Sequence, residues 1–169
     1  MGMYTGIRFK GYVKEEFRNS FKNIAMEGDW DKSDDEVFSN FGKLGRSGFI
    51  PCGSLAYMPN EWETDYINEQ GEKEIDFANY YKQVATDGFE RTYNEETGYW
   101  TFQCSLKNYE DEIEQWFEIL PYFIESIEHL EYFYEEWNYS SKYDLVDGKI
   151  QEVNNMFIKY GHGEGKWDW

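Results

Sequence analysis

Trp100-Thr101-Phe102-Gln103-Cys104-Ser105-Leu106-Lys107 alternates apolar and polar residues over its whole length, which is the period-2 pattern of a strand with one buried face. Residues 89–93 supply a partner strand, and Asn94-Glu95-Glu96-Thr97-Gly98 between them is a five-residue polar loop ending in glycine, a common hairpin connection. Downstream, residues 108–124 carry Ile113, Trp116, Phe117, Leu120 and Ile124 at helical spacing. Asp111, Glu112 and Glu114 stand near the positive end of that helix, and Pro121 is expected to kink it. Residues 128–137 fit helical spacing through Leu130, Tyr134 and Trp137, but the ring-rich Tyr132-Phe133-Tyr134 run favours a strand. Residues 143–146 and 149–153 flank Asp147-Gly148, a two-residue hairpin signal because both residues accept positive φ.

Upstream, residues 4–13 read as a first strand, with Ile7, Phe9 and Val13 on one face and Arg8, Lys10 and Tyr12 on the other. Residues 14–25 read as a helix with a Phe17, Phe21, Ile24 stripe, ended by Gly28. Ser33 with Glu36 three residues on forms a capping box for a short second helix bearing Val37, Phe38, Phe41 and Leu44. The segment 45–88 is irregular, with a short strand over 46–51 stopped by proline and a third helix over 74–84. The order of elements predicts an α+β domain over residues 3–160. Its expected form is a ferredoxin-like antiparallel sheet with two main helices on one face, a long insertion at 45–88 after the first helix, and an extra C-terminal hairpin. Residues 161–169 read as a loose tail.

Composition narrows the function classes. The chain has 169 residues, 34 acidic against 16 basic, for a formal charge of −18. That charge repels nucleic acid and anionic membrane and favours partners with basic surfaces. Aromatic residues make up 21%, so the core is built from rings, which argues against disorder despite the charge. Cys52 and Cys104 do not make a disulfide framework and fit a reducing, cytoplasmic compartment. No apolar run has signal or membrane length.

No GxxxxGK[ST], GxGxxG, CxxC or HExxH pattern occurs, so no cofactor and no metal is implied. His129 or His162 with Cys52 or Cys104 could be drawn as a base and nucleophile; a surface histidine and a core thiol are the plainer reading. Carboxylates are too numerous for any pair to signal catalysis. Their plain reading is a solvated face, and the sharper one is a partner-binding surface of Glu110, Asp111, Glu112, Glu118, Glu125, Glu128, Glu131, Glu135 and Glu136 together with the Trp137 ring. By strand parity Glu131 and Glu135 share a face with His129, Phe133 and Trp137, while Glu128 lies with Leu130 and Tyr132. Parity also places Arg8, Lys10, Arg91 and Lys107 on the sheet face without helices. Those cations either balance nearby carboxylates or line a pocket for an anionic nucleotide.

Tyr4-Thr5-Gly6-Ile7-Arg8-Phe9-Lys10-Gly11, Gly53-Ser54-Leu55-Ala56-Tyr57-Met58-Pro59, residues 100–109 and Phe133-Tyr134-Glu135-Glu136-Trp137 resemble a group of small acidic proteins carried by phages and prophages of Gram-positive bacteria. ArdA-type antirestriction proteins, which mimic DNA, are similar in size and charge alone. The resemblance supplies context and no activity; because small acidic phage proteins include many inhibitors of host defence, context and charge together point to a non-enzymatic inhibitor in the host cytoplasm that covers a basic or nucleotide-binding surface of a defence protein. The alternatives are a protein that sequesters an anionic nucleotide signal through the four cations, and an immunity-type or hydrolytic protein.

Overall fold

A computed structural model describes residues 3–54, 65–67, 70, 73–75, 89–136 and 140–154. The order is β1 (Thr5–Val13), α1 (Lys22–Glu27), α2 (Glu36–Phe41), α3 (Phe49–Cys52), β2 (Asp65–Ile67), β3 (Lys73–Ile75), β4 (Thr92–Tyr93), β5 (Tyr99–Leu106), α4 (Glu112–Phe123), β6 (Ile124–Tyr134), β7 (Ser141–Val146) and β8 (Lys149–Asn154). Six strands form one antiparallel sheet in the order β4-β5-β1-β6-β7-β8, and β2 pairs with β3 separately. The protein is therefore α+β, with β1 held on both sides by strands distant in sequence.

The alternation over 100–107 is carried into the sheet. Ile7 pairs with Cys104 and Phe9 with Phe102 across β1 and β5, and all four are fully buried. On this face Phe21, just before α1, meets Trp100 edge to face at 5.0 Å, and Trp116 of α4 meets Phe9 at 5.6 Å. Phe38 of α2 stands at 90° to Phe123, 5.1 Å away. Buried indoles usually find a partner for their N–H; Trp100 donates to the Ala25 carbonyl at 3.0 Å and Trp30 to that of Ile50 at 2.6 Å, while Trp116 Nε1 has none among the described residues. The expected shared core of Ile7, Phe9, Trp100, Phe102, Leu106, Ile113 and Leu120 is present, with Phe117 packed at its margin.

Several boundaries differ from the expectation. The helix over 14–25 is broken into a 3-10 turn at Glu15–Phe17 and the short α1. The Arg18 carbonyl accepts the Tyr93 phenol at 2.6 Å, and Arg18 Nε donates to Val13 O at 2.9 Å, so this residue is tied to the sheet instead of continuing a helix. Gly28 does end α1, in the left-handed conformation at φ 70°. The cap of α2 is Asp35, whose Oδ1 accepts from Val37 N at 2.8 Å and Phe38 N at 3.2 Å, while Ser33 Oγ accepts from Asp35 N.

Residues 46–51 form no strand. They turn into α3, which contains the cis Ile50–Pro51 bond and packs against β5, and Ser54 joins the sheet edge as an isolated bridge to Ser105. The start of the expected helix over 74–84 is strand β3, and the rest of it lies outside the described residues. Pro121 sits in the last turn of α4, which runs directly into β6; residues 128–134 are strand, as the rings suggested, but the strand begins at Ile124. The Asp147-Gly148 hairpin forms as expected, both residues at positive φ, and adds β7 and β8 beyond β6. The 161–169 tail and Trp137 lie outside the described residues.

Candidate binding surfaces

The sheet face opposite the helices carries Arg8, Lys10, Gln103, His129 and Glu131, because Arg8 pairs with Gln103 on β5 and with Glu131 on β6. The sequence reading put Arg8 in an anion pocket and Glu131 on a partner-facing surface. Both are corrected, since Arg8 is 2% exposed and Glu131 1%. Arg8 Nη1 lies 3.8 Å from Glu131 Oε1, and its Nε donates to Gln103 Oε1 at 3.1 Å. The same carboxylate oxygen is 2.8 Å from His129 Nε2. Phe89 covers the group: the Arg8 guanidinium is 4.8 Å and the Lys10 ammonium 4.3 Å from its ring centre, and His129 meets the same ring at 5.0 Å. Phe89 is thereby drawn inward, and β4 is limited to two residues instead of spanning 89–93.

The four cations of the nucleotide reading do not converge. Arg8 is internal and Lys10 lies on Phe89. Arg91 is half-buried with an unpartnered buried Nε, close enough to Cys52 and Cys104 to lower both thiols. Lys107 stands beyond the far end of β5, its ammonium 5.7 Å from the Tyr4 ring centre. Burial outweighs Arg91 at both cysteines and pushes their thiols up, so neither is an activated nucleophile. Among the described residues no three His, Cys, Asp or Glu side chains cluster to hold a metal ion, and no helix is long and apolar enough to cross a membrane.

The carboxylates divide. Glu110, Asp111, Glu118, Glu125, Glu128 and Glu136 are exposed. Glu112 is completely buried, its Oε2 accepting from Glu110 N at 3.0 Å and its Oε1 without a partner, so it is corrected to an internal residue. Glu135 is half-buried and holds the start of β1, accepting from Tyr4 N at 2.8 Å while its own N–H donates to Tyr4 O. Bulges in β6 opposite Lys10/Gly11 and Tyr12/Val13 shift its parity. Glu128 is consequently turned to the side of β5 carrying Tyr99, whose phenol it accepts at 2.9 Å, instead of the side carrying Leu130.

The exposed acids lie at opposite ends of the sheet. Glu125 and Glu128 are at the Val13/Tyr99 end, where Arg18 bridges to Glu125 at 3.4 Å. Glu110 and Asp111 are at the Leu106 end, separated from the first group by the length of α4, about 18 Å at 1.5 Å per residue. Asn108 fixes the start of that helix: its Oδ1 accepts from Ile113 N at 3.0 Å, and its amide donates to both oxygens of Glu114, whose carboxyl burial raises.

Sequence reasoning missed a cleft of about 320 Å³ at the Leu106 end, lined by Tyr4, Arg46, Phe49, Ser54, Ser105, Leu106 and Lys107. Arg46 lies far from Tyr109 in sequence, and no local pattern announces that its guanidinium rests 4.7 Å from that ring centre. A second cleft, between α4 and the β7–β8 hairpin, is lined by Glu114, Phe117, Glu118, Pro121, Gly148, Lys149 and Ile150. In comparisons with known proteins, the chain matches no family, no curated protein and no solved structure.

Proposed function

We propose that the protein is a non-enzymatic inhibitor of phage origin that binds a cationic surface of a bacterial host defence protein in the host cytoplasm. The observation that carries the reading is the number of solvent-facing carboxylates on a chain of charge −18. Arg8 is withdrawn into a buried pair with Glu131, while Glu118, Glu125, Glu128 and Glu136 face solvent. A partner therefore meets carboxylates first, and charge complementarity accelerates that encounter. The upward-shifted Cys52 and Cys104 thiols favour binding over covalent chemistry. We also read β4-β5-β1-β6, with helical segments before β4 and before β6, as a ferredoxin-like unit extended by β7 and β8; the strand order supports this.

Affinity capture from bacterial lysate, followed by titration of the purified partner, tests the function. Binding is expected to weaken steeply with salt, as exposed charges are screened beyond about 8 Å at physiological ionic strength. The triple variant E118K/E125K/E128K is expected to lose binding with its melting temperature nearly unchanged. A partner held equally well by the triple variant at low and high salt would refute the acidic-surface reading.

A further inference from the structure

The cleft at the Leu106 end brings two cations together on one wall. Arg46 and Lys107 both line it, and among the described residues neither has a carboxylate within the 4.0 Å of an ion pair. Each cation is instead set beside a tyrosine, Arg46 by Tyr109 and Lys107 by Tyr4. Such a contact steadies the side chain without neutralising it. In a chain of charge −18, two cations left without a counterion on one cavity wall stand out against the inward-turned, paired Arg8.

The wall itself is built. The Ser54 carbonyl accepts both the N–H and the hydroxyl of Ser105, at 2.8 and 2.7 Å, which pins the segment after α3 to β5. Phe49 projects into the same cleft with 48% of its surface exposed. Every other Phe whose burial is described is buried or half-buried, so this ring offers an unused stacking face.

We propose that this cleft binds a small anion carrying a flat ring, of the class of nucleoside monophosphates, with the phosphate between Arg46 and Lys107 and the ring against Phe49. Guanidinium suits a phosphate because its fork makes paired hydrogen bonds, and lysine adds a point charge. At about 320 Å³ the volume lies at the small end of ligand sites, which run from about 300 to 1,000 Å³; a single nucleotide suits it better than a chain of them. Glu110 stands beside the cleft, its Oε2 accepting from Gly45 N at 3.0 Å. Its charge opposes an anion there and sets a ceiling on affinity. The site is independent of the acidic-surface reading, using different residues and a different ligand.

Calorimetric titration at physiological salt with AMP, GMP, CMP and UMP, and with adenosine and inorganic phosphate as half-ligands, tests the site. At least one nucleotide is expected to bind with Kd below about 1 mM, and each half-ligand at least about tenfold more weakly. R46Q and K107Q are each expected to weaken the nucleotide about tenfold or more. F49A should reduce it to the affinity of inorganic phosphate, and E110Q should tighten it. Unchanged melting temperatures verify that the variants are folded. No heat from any of the four nucleotides, or binding that survives both R46Q and K107Q, would overturn the proposal. A half-ligand binding as tightly as the nucleotide would also overturn it.

Discussion

Removing one member of the Arg8–Glu131 pair is the perturbation on which the internal electrostatics can be checked most directly. At 3.8 Å the two charges attract by about 4 kcal/mol at an effective dielectric of about 20. Most of that attraction only offsets the cost of taking both ions out of water. Deleting one charge takes a counterion from the other, at a cost of about 3–5 kcal/mol, although in the Arg8 variant Glu131 keeps His129 Nε2 at 2.8 Å. Glu131→Gln keeps the shape and removes the charge, while also changing the partner of His129 Nε2; Arg8→Met also removes the bond to Gln103 and the contact with Phe89. Both single variants are expected to lose about 3–5 kcal/mol in urea unfolding, with unchanged slope. At about 2–4 °C per kcal/mol for a chain of this size, the melting temperature should fall by about 6–20 °C. The double variant should be less damaged than the sum by up to about 3 kcal/mol. Single losses under about 1 kcal/mol, or additivity within about 0.5 kcal/mol, would refute the pair as an internal counterion arrangement.

Two further outcomes follow from burial. Phe102→Ala empties a site between Phe9, Trp100 and Trp116 and is expected to cost about 3–5 kcal/mol; a loss under about 1 kcal/mol in urea unfolding would place the ring outside the core. Burial and the Glu95 charge push the Tyr93 phenol up to about 12, with Arg18 opposing. Because the unfolded phenol ionises first, near pH 10, stability from this group is complete below about pH 10 and is lost as pH climbs towards about 12. Melting temperature against pH should therefore fall more gently in Tyr93→Phe than in the wild type over that window, and parallel curves would refute the assignment.

What was legible in the sequence was whatever depends on local period. The 100–107 alternation, the Asp147-Gly148 turn and the α4 stripe each announce themselves because a strand or helix imposes its own spacing on the residues it buries. The break after Phe17 was not legible, since it depends on the Tyr93 phenol reaching the Arg18 carbonyl from the other half of the chain. Strand β6 was recognised by its rings, yet its bulges reversed the parity of Glu128, and a bulge has no signature in a run that is apolar and acidic on both faces. The candidate sites divide in the same way. Glu131 looked like one carboxylate among many, and only the register that sets it against Arg8 distinguishes it from Glu125 or Glu128. Arg46 and Phe49 drew no attention because the cleft is assembled from three distant segments.

The burial of Arg8, Gln103 and Glu131 also constrains where recognition can occur. An antiparallel sheet with helices on one side commonly leaves its other face to water, and the expected anion pocket relied on that. With those central residues at most 6% exposed and Phe89 lying over Arg8 and Lys10, the middle of that face cannot receive a ligand. The exposed acids Glu125 and Glu128 and the Arg46–Lys107 cleft lie at the ends of the strands instead, and the two ends differ in chemistry. Glu125 and Glu128 accompany Tyr99 at one, whereas Arg46 and Lys107 share the other with Glu110. Across the length of α4, about 18 Å and more than twice the physiological screening distance of about 8 Å, charge changes at one end exert little direct influence on the other. Charge reversal of Glu125 and Glu128 should therefore abolish partner binding without altering nucleotide affinity, and Arg46→Gln should do the converse.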